Sequence, residues 1–256
     1  YSAPLGDGSA FVYAGYPGEP ALGPATFMHR LSGMENPEAP ITHHWLDSTH
    51  VTFGVVTAGY VWHDWKIDAS VFNGREPDKN RWDLEPLRLN STAGRLTWNP
   101  APNWSLQTSY GYIHSPEQLE PNRDQHRITA SATYNMPFAS GNWQTSAIWG
   151  RNIASPGTTT DSYLVESAAT WDMHTIFARA EKVQKDELFV PPSPLTGHVF
   201  NVGKFSVGYV YDIPLTEHFK LGLGAVVTAT DIPSPASTSY SGNPGSYMLF
   251  TRVKLH

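Results

Sequence analysis

Trp98-Asn-Pro-Ala-Pro-Asn-Trp104-Ser-Leu-Gln-Thr-Ser-Tyr-Gly-Tyr112 holds a chain reversal and a strand in one short stretch. Two prolines and two asparagines lie between the tryptophans, a composition that turns the chain and continues no regular element. After the turn, Trp104, Leu106, Thr108, Tyr110 and Tyr112 alternate with Ser105, Gln107, Ser109 and Gly111. Period-two alternation is the mark of a strand with two unlike faces. The tryptophan that closes the turn has the parity of the apolar face. Four more short turns are bracketed in the same way: Trp62-His-Asp-Trp65, Tyr134-Asn-Met-Pro-Phe-Ala-Ser-Gly-Asn-Trp143, Trp171-Asp-Met-His-Thr-Ile-Phe177, and Tyr211 to Phe219. Such rings suit the headgroup layer of a bilayer, where the apolar body meets lipid and the polar tip meets water. Trp62, Trp65, Trp98, Trp104, Tyr134, Trp143, Trp171, Tyr211 and Phe219 therefore read as a girdle at one membrane interface.

Composition agrees with strands. No apolar run approaches the roughly 20 residues of a spanning helix, and mean hydropathy is -0.35. A spanning strand pairs lipid-facing apolar residues with polar ones behind them, so its mean hydropathy stays low. The chain has 256 residues, 21 glycines, 21 prolines and no cysteine, which removes disulfides and thiolate chemistry. A net charge of -6 argues against nucleic acid as a partner. A chain opening on Tyr1 without Met reads as a mature product after signal-peptide removal.

About twelve strands are expected, near 9–16, 49–62, 64–74, 87–99, 103–115, 124–137, 141–154, 158–173, 174–187, 198–214, 218–232 and 246–255. Short connections alternate with long ones, the longest over about 17–48. Alternation holds in 65–73, 127–135, 163–172 and 219–228, where the bracketing aromatic again shares the apolar parity. Two places fit badly: 49–62 is apolar on both faces, and Phe177 shares parity with Arg179 and Glu181. A bulge would repair either. The reading is all-β: one transmembrane up-and-down antiparallel β-barrel over 1–256, with long extracellular loops, short periplasmic turns and both termini periplasmic. A soluble β-sandwich or lipocalin-like barrel would also alternate, but it would keep its large rings in the core.

At the C-terminus, Tyr247, Leu249, Thr251, Val253 and Leu255 alternate with Met248, Phe250, Arg252 and Lys254. This resembles the insertion signal of bacterial outer-membrane β-barrel proteins, although Leu255 stands where an aromatic residue is usual and His256 follows it. The resemblance covers the architecture of the whole chain and implies the outer membrane of a Gram-negative bacterium, with lipid and lipopolysaccharide as surroundings.

Carrying the parity to the polar face gives a lumen list: Lys66, Asp68, Arg95, Arg127, Glu166, Asp172, Arg179, Glu181, Lys204, Lys220, Arg252 and Lys254. Basic residues outnumber acidic ones, although the chain as a whole is acidic. Either these charges pair across a narrow interior and plug it, or a positive excess lines a thin pore for small, anionic solutes. The small twelve-stranded porins for acidic sugars resemble the second case, and that reading leads. The alternative is a non-conducting structural, adhesive or partner-binding barrel.

Other chemistry is thinner. Met28, His29, Met34, His43, His44 and His50 in the first loop are ligand types suited to copper or zinc, against the plain reading of a surface loop rich in imidazoles. The acidic loops 74–87 and 115–124 can hold divalent cations or pack on lipopolysaccharide through them. Asp124-Gln-His126 resembles half of the omptin protease site, with Asp83-Leu-Glu85 the nearest second pair, yet Asp83 and Glu85 fall in a loop. The His-X-Ser of outer-membrane phospholipases is missing from the sequence. No enzymatic activity is expected, and a protein partner would sit outside so narrow a lumen.

Overall fold

The computed structural model describes residues 1–48, 53–80, 83–118 and 120–255. Thirteen strands follow one another in a single antiparallel sheet whose spatial order equals the chain order. They are β1 (Ser2–Leu5), β2 (Gly8–Gly15), β3 (Val55–Trp62), β4 (Trp65–Phe72), β5 (Ser91–Ala101), β6 (Trp104–Ile113) and β7 (Asp124–Phe138). The rest are β8 (Gly141–Ser155), β9 (Thr159–Trp171), β10 (His174–Lys185), β11 (Phe200–Pro214), β12 (Phe219–Asp231) and β13 (Gly245–Leu255). The strand beyond the expected twelve is β1. It exists because Gly6, with φ of 58°, closes a two-residue turn onto β2 and pairs Ser2 with Phe11. The strand expected from residue 49 begins at Val55; residues 49–52 lie outside the described residues.

Local sequence explains the tight reversals. His63-Asp64 and Asp172-Met173 join β3 to β4 and β9 to β10, and His63 and Asp172 both take φ of 48°. Positive φ at the first central position is the type II′ geometry that matches the twist of paired strands. Asp172 is thereby an exposed turn residue, which corrects its place in the lumen list.

Chain contacts separate into two compact units, residues 1–26, 43–132 and 148–161, and residues 27–42, 133–147 and 162–256. In both, strand faces follow the sequence parity. Along β4, Lys66, Asp68, Ser70 and Phe72 are covered, while Trp65, Ile67, Ala69 and Val71 are exposed. Along β10, Thr175, Phe177, Arg179, Glu181 and Val183 are buried, and Ile176 and Ala180 are exposed. The exposed face is mainly apolar on strand after strand, the alternation that a lipid-facing strand shows, with Lys182 a charged exception on β10.

The two misfits need no bulge, because the register runs unbroken through β3 and through Phe177. In the first unit, Leu22 of the long loop packs with Val55, Phe72, Ala93 and Ile113, so β3 is apolar on the side the loop covers. In the second, Phe177 joins Ala168, Val210 and Val226, with Phe250 packed against them. A Cβ on Gly208 would lie 2.2 Å from the Phe177 ring, and one on Gly224 2.3 Å from the Phe250 ring. Phe177 and Phe250 thus each have a facing glycine that gives the ring room.

Candidate functional site

The charged faces of the strands are covered by the connection between β2 and β3, which the sequence placed outside. In the first unit this loop contributes residues up to 26 and from 43 to 48. Its backbone lies off any ladder, so buried amides and carbonyls need other partners. The strands supply them. Ala21 N donates to Ser70 Oγ at 2.7 Å, and Gly23 N to Ser109 Oγ at 2.8 Å. Arg95 donates to the Gly23 carbonyl at 2.9 Å and grips both oxygens of Asp68 at 3.2 and 2.6 Å. Lys66 adds a third charge, 3.2 Å from Asp68, and its ammonium lies 5.1 Å from the Phe11 ring centre. Gly23 has φ of 71°, and a Cβ there would meet the Leu46 carbonyl at 2.2 Å, so the two arms of the loop touch at a point only glycine permits.

The second arm carries the short helix α1 (His43–Leu46), held by its backbone and its tryptophan. Trp45 Nε1 donates to Thr160 Oγ1 at 2.8 Å, Asn152 Nδ2 to the His44 carbonyl at 3.0 Å, and Arg127 Nη1 to the Asp47 carbonyl at 2.6 Å. Arg127 also donates to Asn152 Oδ1 at 3.1 Å. It is a loop anchor. With His44, Arg75 and Glu76 it borders a small open recess.

In the second unit, loop residues 27–42 meet a strand face dense in charge. Glu166, 1% exposed, accepts from Arg30 Nε at 2.7 Å, Ser32 Oγ at 3.1 Å and Arg179 Nε at 3.1 Å. Arg179 turns its remaining donors to the carbonyls of Glu38 at 2.7 Å and Gly33 at 3.2 Å. Glu38 also pairs with Lys204 at 3.0 Å and accepts from Thr228. Glu35 pairs with Arg252 and, at 2.9 Å, with Lys254; Arg252 holds Asp212 as well, at 2.7 Å. Thr42 donates to Glu181 from both its amide and its hydroxyl. Lys220 stands opposite Lys254 in register. The strand list, basic in excess, is thus met by carboxylates from the loop. Asp212 was readable, since it shares parity with Lys204 and Ser206. Arg30, Glu35, Glu38 and Asp47 were not, because a loop has no period that assigns a face.

The aromatic brackets stand on the exposed face or beside it. Trp62, Trp65, Trp98, Trp104, Trp143 and Phe219 are exposed. Trp65 stacks on Trp98 with centroids 5.3 Å apart, and Tyr134 meets Trp143 edge-on. Trp171 and Tyr211 flank His174 from either side in register, and all three are half-buried.

Of the six metal candidates, His44 alone joins a group of three His or carboxylate residues among the described residues, with Glu76 and Glu117. Met28 and Met34 are exposed, and His43 packs against His44 edge-to-face. His50 lies outside the described residues. Asp124 accepts from Tyr112 at 2.7 Å and lies 2.9 Å from His114, whereas His126 bonds Tyr110 at 2.7 Å; the two members of the Asp-X-His pair face different partners. Asp83 and Glu85 gather with Asp78 in the loop before β5.

No protein-family model matches the chain, and no curated protein matches it in sequence. A solved structure does: the anion-selective porin from Comamonas acidovorans superposes with a TM-score of 0.55, over 99% of this chain and 74% of its own, at 10% identity. The fold is that of a porin. A looser likeness, to Pseudomonas aeruginosa OccK8 (OprE), covers 100% of this chain and 79% of the other at 8% identity, with a TM-score of 0.41. The expected class, an all-β up-and-down antiparallel barrel of the outer-membrane type, agrees with this fold.

Proposed function

We propose that the chain is an outer-membrane channel for small solutes, narrowed by its first long loop and favouring anions. The observation that carries this reading is the sign of the strand charges. In the second unit the covered strand faces bear Arg179, Lys185, Lys204, Lys220, Arg252 and Lys254 against Glu166, Glu181 and Asp212, six basic to three acidic among the described residues. A low-dielectric passage with that excess attracts anions and repels cations. The anion-selective neighbour supports the same direction. The loop narrows the passage and sets Glu35 and Glu38 against part of the excess, so conductance is small and the preference moderate.

In this reading the short turns and the end of β13 face the periplasm of a Gram-negative bacterium. The long loops meet lipopolysaccharide, and the apolar strand faces meet lipid. A second reading is favoured by the fastening of Arg30, Glu35 and Glu38 to the strands: the loop closes the passage, and the barrel is structural. Planar-bilayer recording separates the two. Small openings with a reversal potential on the anion side of a salt gradient support the channel. Silence at saturating protein overturns it in favour of the closed barrel, and cation preference overturns the selectivity.

A further inference from the structure

We propose that His44, Glu76 and Glu117 form a binding site for one divalent transition ion of the zinc type, which clasps α1 to the loops preceding β5 and β7. Three separate segments supply the ligands, and one ligand atom from each lies within 4.8 Å of the other two. His44 Nε2 is 3.7 Å from Glu76 Oε1, and His44 Nδ1 is 3.7 Å from Glu117 Oε1. Those separations exceed a hydrogen bond. The two carboxylates stand beside different nitrogens of the ring and so bracket it. Ligands about 2.0–2.2 Å from zinc in a tetrahedron stand roughly 3.4 Å from one another. An ion bound by one imidazole nitrogen and both carboxylates therefore needs one carboxylate or the ring to turn and the set, which lies within 4.8 Å, to close by up to roughly 1.4 Å, with water as its fourth ligand.

The frame around the group is fixed by bonds unrelated to the three side chains. The His44 carbonyl is tied to Asn152 on β8. Gly150 of the same strand lies so close to α1 that a Cβ on it would meet the Trp45 carbonyl at 2.2 Å. Glu76 N donates to the Pro116 carbonyl at 3.0 Å, which fastens the second ligand segment to the third one residue before Glu117. Preorganised backbone lowers the cost of gathering ligands from distant parts of the chain. The side chains are 27, 24 and 44% exposed, open enough for an ion to enter from water. Imidazole with two carboxylates and no thiolate selects zinc-like ions over calcium, which takes oxygen ligands, and over copper(I), which takes sulfur.

The competing account needs no metal: a protonated His44 lies between two carboxylates. The two differ in what they predict for added zinc. The full chain, refolded in detergent and stripped with a chelator, is titrated calorimetrically with zinc chloride near neutral pH. Expected is one saturable zinc per chain, weakened at least about tenfold in both His44→Ala and Glu117→Gln and unchanged in the control His218→Ala, an exposed histidine of the turn before β12. The use of two ligand variants guards against one that misfolds. Absence of saturable binding in the unmodified chain, or an affinity in either ligand variant equal to that of the unmodified chain, overturns the site.

Discussion

Glu166→Gln tests whether the first loop is held by charge. The substitution keeps the shape and removes the negative charge from a cluster where Glu166, Arg30 and Arg179 are 1, 4 and 1% exposed. Glutamine offers one oxygen where the carboxylate offered two, and its amide directs donors at a guanidinium that is itself a donor. Removing one partner of a buried ion pair costs about 3–5 kcal/mol, because the remaining charge stays desolvated. Arg179 keeps the Glu38 and Gly33 carbonyls as acceptors, which places the loss near about 3 kcal/mol. At 1.4 kcal/mol per decade this is roughly a 150-fold shift towards states with residues 27–42 detached. Urea unfolding in lipid vesicles, followed by tryptophan emission, reads the loss in stability. Trypsin cleavage after Arg30 in the folded protein reads detachment. A triple Arg30→Met, Glu166→Met, Arg179→Met variant should recover only part of the stability: apolar residues of similar volume replace buried ion pairs at little cost, but the Glu38 and Gly33 carbonyls lose their donor. A Glu166→Gln protein within about 0.5 kcal/mol of the parent, a surface-like value, and with Arg30 still protected would refute the reasoning.

Three further outcomes are expected. Val165→Arg, at mid-strand on the exposed face of β9, should destabilise the protein in vesicles by about 2–4 kcal/mol, the depth-dependent cost of a charge facing lipid; vesicle unfolding checks it, and no loss would mean that this face meets water. Gly208→Val should cost about 1–3 kcal/mol by overpacking against Phe177, and the double variant with Phe177→Leu should recover part of it in the same assay. Arg252→Ala removes one positive charge beside Glu35 and Asp212, so the reversal potential in a salt gradient should move towards cations.

Strand positions and faces were legible because each strand repeats its parity many times, and a single misread residue cannot move the whole register. Trp104 to Tyr112 alone identifies its lipid face. Phe177 and Val55 looked like errors in that pattern because the sequence carries no mark of what covers them. Phe177 needs the small Gly208 facing it, and Val55 needs Leu22, thirty-three positions earlier in the chain. The candidate site was legible only by half. Strand charges such as Asp68, Arg95 and Arg179 follow from parity, whereas Glu35 and Glu38 sit in a loop whose path is chosen by its partners. The metal reading gathered ligands by nearness along the chain, whereas the carboxylates beside His44, Glu76 and Glu117, come from two other loops.

The sequence distances inside the loop contacts impose an order of events. Glu35 bonds Lys254 across 219 positions, and Glu38 bonds Thr228 across 190. The contacts of Glu35 with Arg252 and Lys254 therefore form only after β13 has paired with β12. Before the loop docks, Lys204 on β11 and Lys254 on β13 lack the carboxylates of Glu38 and Glu35, and they gain them only once β13 is paired. A chain lacking β13 would keep the anchors of Arg30, Glu38 and Thr42 on β9 to β11 and lose those of Glu35, so proteolysis there would report the pairing of β13.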